Sequence, residues 1–109
     1  MNWNVEYLPE AVKDLEKMNN SQKLLVFKAI NRVRANPLPI NEGGYVKPLG
    51  NKNGKNLAGL LKIKLLNAGI RVVYKIVRTE TRMVIIVIGA RKDDIVYKLA
   101  EKRMHRNLS

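Results

Sequence analysis

The residues best suited to chemistry are four cations and a phenol at fixed places: Lys62, Lys64, Arg71 and Arg91, with Tyr97 close behind. Lys62 and Lys64 alternate with Leu61, Ile63 and Leu65. A period of two sends the lysines to one face of a strand and the apolar residues to the other. The stretch Leu66-Asn67-Ala68-Gly69 follows, with Asn and Gly as turn formers. With these as the loop, Leu65 pairs with Ile70, Lys64 with Arg71 and Lys62 with Val73. Residues opposite one another in an antiparallel pair share a face, so Lys62, Lys64 and Arg71 project together. A second turn at Thr79-Glu80-Thr81 pairs Arg78 with Arg82 and, counted back, sets Gly89 opposite Arg71. A glycine there leaves room on the cationic face, and Arg91 has the same parity at the strand's end. Like charges set opposite one another cost stability, so the arrangement predicts an anion between them, a phosphate above all. The bland alternative is the solvated polar face of a half-exposed sheet.

The elements that must position these groups can be read in order. Trp3, Val5 and Tyr7 alternate with polar neighbours and predict a short strand at a sheet edge. Pro9 fits the first turn of a helix, and Ala11, Val12, Leu15 and Met18 form its apolar stripe. Asn19-Asn20 ends that helix and Ser21 is the expected N-cap of the next. Its buried stripe is read as Leu24, Phe27, Ile30 and Val33, with Leu25 and Val26 flanking and Lys28, Arg32 and Arg34 exposed. Asn36-Pro37-Leu38-Pro39 stops it. Residues 40–56 are rich in Gly, Pro and Asn and read as a long connection with an Asn-Gly turn at Asn53-Gly54. No strand precedes this stretch and no Lys-Ser/Thr pair follows, so it is not a phosphate-binding glycine loop. Lys47, Lys52 and Lys55 within it, and Lys92 later, are candidates for non-specific contact with a nucleic-acid backbone; solvated loop lysines are the plainer reading. After Arg91, either Asp93 or Asp94 can cap a helix running from about Ile95 to Arg106.

The order is β-α-α-β-β-β-α, an α+β fold. One small, antiparallel-rich sheet carries an N-terminal helical hairpin on one face, with a C-terminal helix last. The other face is expected to be half open and to carry the cations.

Composition narrows the function classes. The chain has 109 residues, 46 % of them apolar, which fits one domain with one core. Its longest apolar run, Met83 to Ala90, is too short to cross a bilayer and reads as a buried central strand. The first residues show neither a basic patch nor an apolar core, so no signal peptide is expected. With no cysteine there is no disulfide framework, thiolate metal site or thiol nucleophile. The single histidine, His105, has no ligand-spaced partner and reads as a surface residue. Net charge is +12 and uneven: −2 over residues 1–20, +6 over 21–58 and +8 over 59–109. Such a balance points to a polyanion, either nucleic acid or an acidic protein.

These features resemble the RelE/ParE superfamily of type II toxin–antitoxin toxins, and within it the RelE-like messenger-RNA interferases. The resemblance lies in the opening strand and its Pro-Glu-Ala-Val-Lys-Asp-Leu helix, and in Val46-Lys47-Pro48-Leu49-Gly50. It is most specific in Lys-Ile-Lys-Leu, then Gly-Ile-Arg-Val-Val-Tyr, then Gly-Ala-Arg with Val-Tyr behind it. It implies a ribosome-dependent endoribonuclease that cuts messenger RNA in the A site without a metal or other cofactor. It implies catalytic roles for Lys62, Lys64, Arg71, Arg91 and Tyr97. Tyr97 would stack on a base, the two lysines surround nucleophile and phosphate, Arg71 stabilise phosphate charge, and Arg91 serve the leaving oxygen. It implies cytoplasmic action and an acidic antitoxin as partner. Ala90 stands where some relatives have another cation, and the helix after Tyr97 is longer than in some members.

The chemistry expected of such a set is attack by a ribose 2′-hydroxyl on the adjacent phosphodiester, leaving a 2′,3′-cyclic phosphate and a 5′-hydroxyl. A lysine is a poor base at its ordinary pKa of about 10.4, but neighbouring positive charge lowers it. The arginines stay charged and suit stabilisation of the phosphorane. With little base strength and no evident pocket, the site is expected to cut free RNA weakly and to depend on the ribosome for orientation. Two other readings stand beside this one: a ParE-like gyrase poison, and a non-catalytic basic RNA-binding domain of the same fold.

Overall fold

The computed structural model describes residues 2–52, 55–90 and 92–107. The elements in order are β1 (Asn4–Tyr7), α1 (Pro9–Glu16), α2 (Asn20–Val33), β2 (Pro48–Lys52), β3 (Lys55–Leu65), β4 (Ile70–Val77), β5 (Arg82–Gly89) and α3 (Asp93–Asn107), with 3-10 turns at Ile40–Glu42 and Arg78–Glu80. The strands form a single sheet in the order β1-β5-β4-β3-β2. β1 is an edge strand, as its alternation predicted, and joins β5 in parallel. The other pairings are antiparallel. The α+β architecture is therefore as expected, with one more strand than the sequence suggested.

That extra strand, β2, lies in the stretch read as a long connection. Its residues, Pro-Leu-Gly-Asn-Lys, lack the alternation and β-branched side chains that mark strands. It is held by backbone pairing to β3 and is irregular: Pro48 pairs with Leu61 but Gly50 with Leu57. Gly50 and Gly59 have φ of 63° and 85°, a region open mainly to glycine. The Asn53-Gly54 turn lies outside the described residues.

The β3–β4 register matches the sequence reading: Leu65 with Ile70, Lys64 with Arg71 and Lys62 with Val73. β4–β5 departs by one residue at its turn end, where Val77, not Arg78, pairs with Arg82. The Arg78–Glu80 turn takes the extra residue, closing on Thr81 in the left-handed region at φ 46°. A shift between Val73 and Tyr74 then leaves Ile86 without a partner on β4 and restores Arg71 opposite Gly89. Its carbonyl accepts instead from Arg103 Nη1 at 3.0 Å, so the bulge leaves that polar group satisfied.

The core sits on both sides of the sheet. Tyr74, Val72, Val73, Ile85, Ile86 and Val87 are all fully buried. The Tyr74 hydroxyl, buried beneath the chain that follows α2, donates to the Pro37 carbonyl at 2.8 Å, and burial pushes its pKa far above the ordinary phenol range. The hairpin α1–α2 packs on β5 and β3, while α3 lies across β5, β3 and β4. The second face is therefore not half open. α3 covers it with Val96, Tyr97 and Ala100, all buried, and the cations emerge at the rim of that cover.

Both N-terminal helices depart from the stripes read in the sequence. Val12 is exposed on α1, while Ala11 and Leu15 are buried. On α2 the buried residues are Val26, Ala29 and Ile30, whereas Leu24, Leu25 and Phe27 are exposed. Alanine carries little apolar weight in a pattern, and the buried face of α2 centres on Val26 and Ile30 with Ala29 beside them, which leaves the larger Leu24 and Phe27 outside. The N-cap of α2 is Asn19, not Ser21. Its side chain accepts from the Gln22 N–H at 2.8 Å while Gln22 Oε1 accepts from the Asn19 N–H at 3.1 Å, a reciprocal capping box.

Candidate functional site

β3 and β4 carry Lys62, Lys64 and Arg71 on one face because of their antiparallel register, and α3 begins against the same face. The Asp93 carboxylate, first residue of α3, sits among the three cations. Lys62 Nζ lies 3.3 Å and Lys64 Nζ 3.9 Å from Asp93 Oδ2, and Arg71 Nε donates to Asp93 Oδ1. Arg71 is further held by its Nη1, which donates to the Gly69 carbonyl at 2.9 Å. Gly69 has φ 66° in the β3–β4 turn, so a conformation that suits glycine aims this carbonyl at the guanidinium. Burial alone would push the Asp93 carboxyl up; the hydrogen bonds from Arg71 and Lys62 and their charges outweigh it and hold the pKa below its ordinary value.

Tyr97 joins the cluster from one turn further along α3. Lys62 Nζ donates to its hydroxyl at 2.6 Å. The ammonium stands 5.0 Å from the ring centroid, so it meets the ring at the hydroxyl end and not over its face. The ring is 5 % exposed. In this arrangement no face of it is free for a base to stack on; only the hydroxyl reaches the cations.

Four of the predicted residues, Lys62, Lys64, Arg71 and Tyr97, are thus brought together. Arg91 lies outside the described residues. Lys92 is exposed, and its carbonyl accepts the Ile95 and Val96 N–H groups that open α3. Lys47 is exposed just before Pro48, whose strand partner is Leu61. Lys52 and Lys55 pair at the other end of β3, on the order of 20 Å of strand from Lys62; their side chains lie outside what is described. The fold does not draw their backbones to the cluster.

Two expectations about this face are corrected. Gly89 does not open space for an anion: a Cβ there would meet Val96 Cγ2 at 3.2 Å, so the glycine admits the first turn of α3. Asp93, read as a helix cap, instead supplies the carboxylate between the cations. Nothing in Lys92-Asp93-Asp94 distinguishes the two aspartates; only the register of α3 against β3 and β4 does so.

A second group, missed in the sequence, fixes α3 in place. Asp14 of α1 accepts from Arg103 Nη1 at 2.6 Å and Nη2 at 3.1 Å, and from the Ile88 N–H at 2.9 Å. Arg103 also holds the Ile86 carbonyl. One two-pronged ion pair therefore ties α1, β5 and α3 together behind the cation cluster. Among the described residues there is no group of three His, Cys, Asp or Glu that could hold a metal. No described helix is long and apolar enough to cross a membrane.

No family model matches the chain. A curated Escherichia coli protein named "Putative RelE-like toxin protein" is 23 % identical over 104 residues, covering 95 % of this chain and 99 % of that one. Among solved structures, a mutant of the E. coli toxin RelE in the free state superposes with a TM-score of 0.72 at 22 % identity, over 95 % of this chain and 99 % of its own. The toxin–antitoxin complex RelBE2 from Mycobacterium tuberculosis gives 0.67 at 23 % identity, over 84 % and 100 %. The intact E. coli RelBE toxin–antitoxin complex gives 0.62 at 19 %, over 83 % and 98 %. The resemblance read in the sequence therefore holds over nearly the whole chain, and the fold is that of the RelE toxins.

Proposed function

With the RelE toxin fold as premise, we propose that this chain is the toxin of a type II toxin–antitoxin pair and a metal-independent endoribonuclease that cuts messenger RNA in the ribosomal A site. The observation that carries the reading is the convergence of Lys62, Lys64 and Arg71 on one anionic group, with the Tyr97 hydroxyl beside it. A phosphodiester carries one negative charge and two free oxygens, as a carboxylate does, and charge-assisted donors suit both.

In the proposed reaction the ribose 2′-oxygen bonds to phosphorus, its proton passing to a base. The bond to the 5′-oxygen breaks, and that oxygen takes up a proton. The products are a 2′,3′-cyclic phosphate and a 5′-hydroxyl. Arg71 stabilises the charge that builds on the phosphorane oxygens. Lys62 and Lys64 flank nucleophile and phosphate. Tyr97, whose oxygen already accepts from Lys62, keeps its own O–H for an incoming oxygen. Arg91 is assigned to the leaving oxygen by resemblance. Of the three cations Lys64 is exposed, while the Lys62 and Arg71 side chains are 15 % and 22 % exposed; the ribosome supplies the orientation that brings a strand in line.

The protein acts in the cytoplasm, where translating ribosomes are, and its partner is an acidic antitoxin that covers the basic face. Solved relatives are themselves toxin–antitoxin complexes. Regulated expression in a bacterial host, with 5′ ends of transcripts mapped, tests the reading. Arrested translation with new transcript ends inside open reading frames supports it. DNA damage with intact transcripts would instead favour a gyrase poison, and no effect on either would leave a basic RNA-binding domain.

A further inference from the structure

We propose that Asp93 is an internal stand-in for the substrate phosphate: it occupies the anion site in the resting protein, and an RNA phosphodiester binds by displacing it. This rests on the ribonuclease reading and adds a residue that sets how strongly free RNA is bound.

Three observations lead to it. The contacts of the Asp93 carboxylate are those a phosphodiester would need: Arg71 Nε on one oxygen, with Lys62 at 3.3 Å and Lys64 at 3.9 Å on the other. Without an anion, the register that sets Lys64 opposite Arg71 would leave like charges facing each other, which is unfavourable. The carboxylate is also reachable and free to leave. Its side chain is 34 % exposed, and it is the first residue of α3, whose opening N–H groups at Ile95 and Val96 are held by the Lys92 carbonyl. The Asp93 side chain can therefore rotate out without breaking those bonds.

The consequence is competition within the molecule. A phosphate arriving from solution must replace contacts that are already made, so much of its binding strength is spent on displacement. A strand already held in place loses less, because its phosphate is presented at high effective concentration. Asp93 thus suppresses binding of stray RNA and favours RNA held by a larger assembly. Its neighbour Asp94 is exposed and carries the same charge, which makes it the natural control.

The test is fluorescence anisotropy with a short, labelled 2′-O-methyl oligoribonucleotide, which binds but cannot be cut, over a series of salt concentrations. Asp93→Asn is expected to bind about tenfold more tightly than the wild type, the scale of one charge-assisted contact released. Its salt dependence should steepen by about 0.7 in log–log slope, as for one more phosphate neutralised on a single strand. Asp94→Asn should change little. Equal gains in both variants, no gain, or weaker binding by Asp93→Asn would each overturn the proposal. Asp93→Ser, which also removes the charge, serves if the Asn variant does not fold. Wild-type transcript cutting, scored on the same preparation, separates the two claims. Tighter binding by Asp93→Asn without wild-type cutting upholds the stand-in and removes the nuclease; cutting without a binding difference does the reverse.

Discussion

Lys62 Nζ donates to the Tyr97 hydroxyl at 2.6 Å, joining β3 to α3 at the rim of the cation cluster. A strand lysine and a helix tyrosine 35 positions apart in the chain are thereby brought into one cluster.

Arg71 is fixed from two sides, bound both to Asp93 and to the Gly69 carbonyl. Arg71→Ala should lower the single-turnover rate of cutting ribosome-bound messenger RNA by about 10²–10³-fold, the scale of losing one preorganised charge-stabilising donor. Arg71→Lys should recover little of it, because a lysine cannot reproduce the two-sided guanidinium contact. Quench-flow with gel analysis of the cut fragments checks both.

Tyr97 separates packing from chemistry. Tyr97→Phe keeps the buried ring and removes only the hydroxyl, so unfolding in urea should show a loss of about 1 kcal/mol or less while cutting falls clearly. Tyr97→Ala empties a site that is 5 % exposed and should cost about 3–5 kcal/mol. Equal stability losses for the two variants would show that the ring does not pack as described.

The Asp14–Arg103 pair should govern how α3 sits. Both side chains are largely buried, at 14 % and 10 % exposure, and removing one partner of such a pair strands the other. Arg103→Ala should cost about 3 kcal/mol in chemical unfolding and should also slow cutting, though Arg103 does not reach the cations. Amide exchange in α3 should quicken relative to the strands.

Acid should reveal the state of Asp93. Its folded pKa lies below the ordinary value, so the unfolded chain takes up the proton first as pH falls. The stability it contributes is present above about pH 4 and is lost as pH drops from there through the lower folded pKa. Wild-type stability should therefore fall more steeply than that of Asp93→Asn over this window, measured by urea unfolding at stepped pH. Parallel curves would contradict the ion-paired carboxylate.

The parts of the fold written in local pattern were legible. The Leu66–Gly69 turn and the alternation on either side of it specify the β3–β4 register, and with it the shared face of Lys62, Lys64 and Arg71. What escaped depends on distant partners. The unpaired Ile86 carbonyl is answered by Arg103, 17 residues on, and no local signal marks it. β2 is a strand because β3 offers it a backbone partner, not because Pro-Leu-Gly-Asn-Lys favours one. α2 buries Ala29, which carries little weight in a hydrophobic pattern, and leaves Leu24 and Phe27 exposed. Asp93 looked like any helix-opening acid, and its role appears only when α3 is laid across the strands that carry the cations.

The most direct measurement is the chemistry of the ends left on a defined messenger RNA, bound to a purified ribosome with an open A site, after one turnover. The wild type should leave a 5′-hydroxyl on one fragment and a 2′,3′-cyclic phosphate on the other, and Arg71→Ala neither above background. A 2′-deoxy sugar at the cut position should also stop cutting by the wild type. Undiminished cutting by Arg71→Ala, or cutting at the deoxy position, would contradict it.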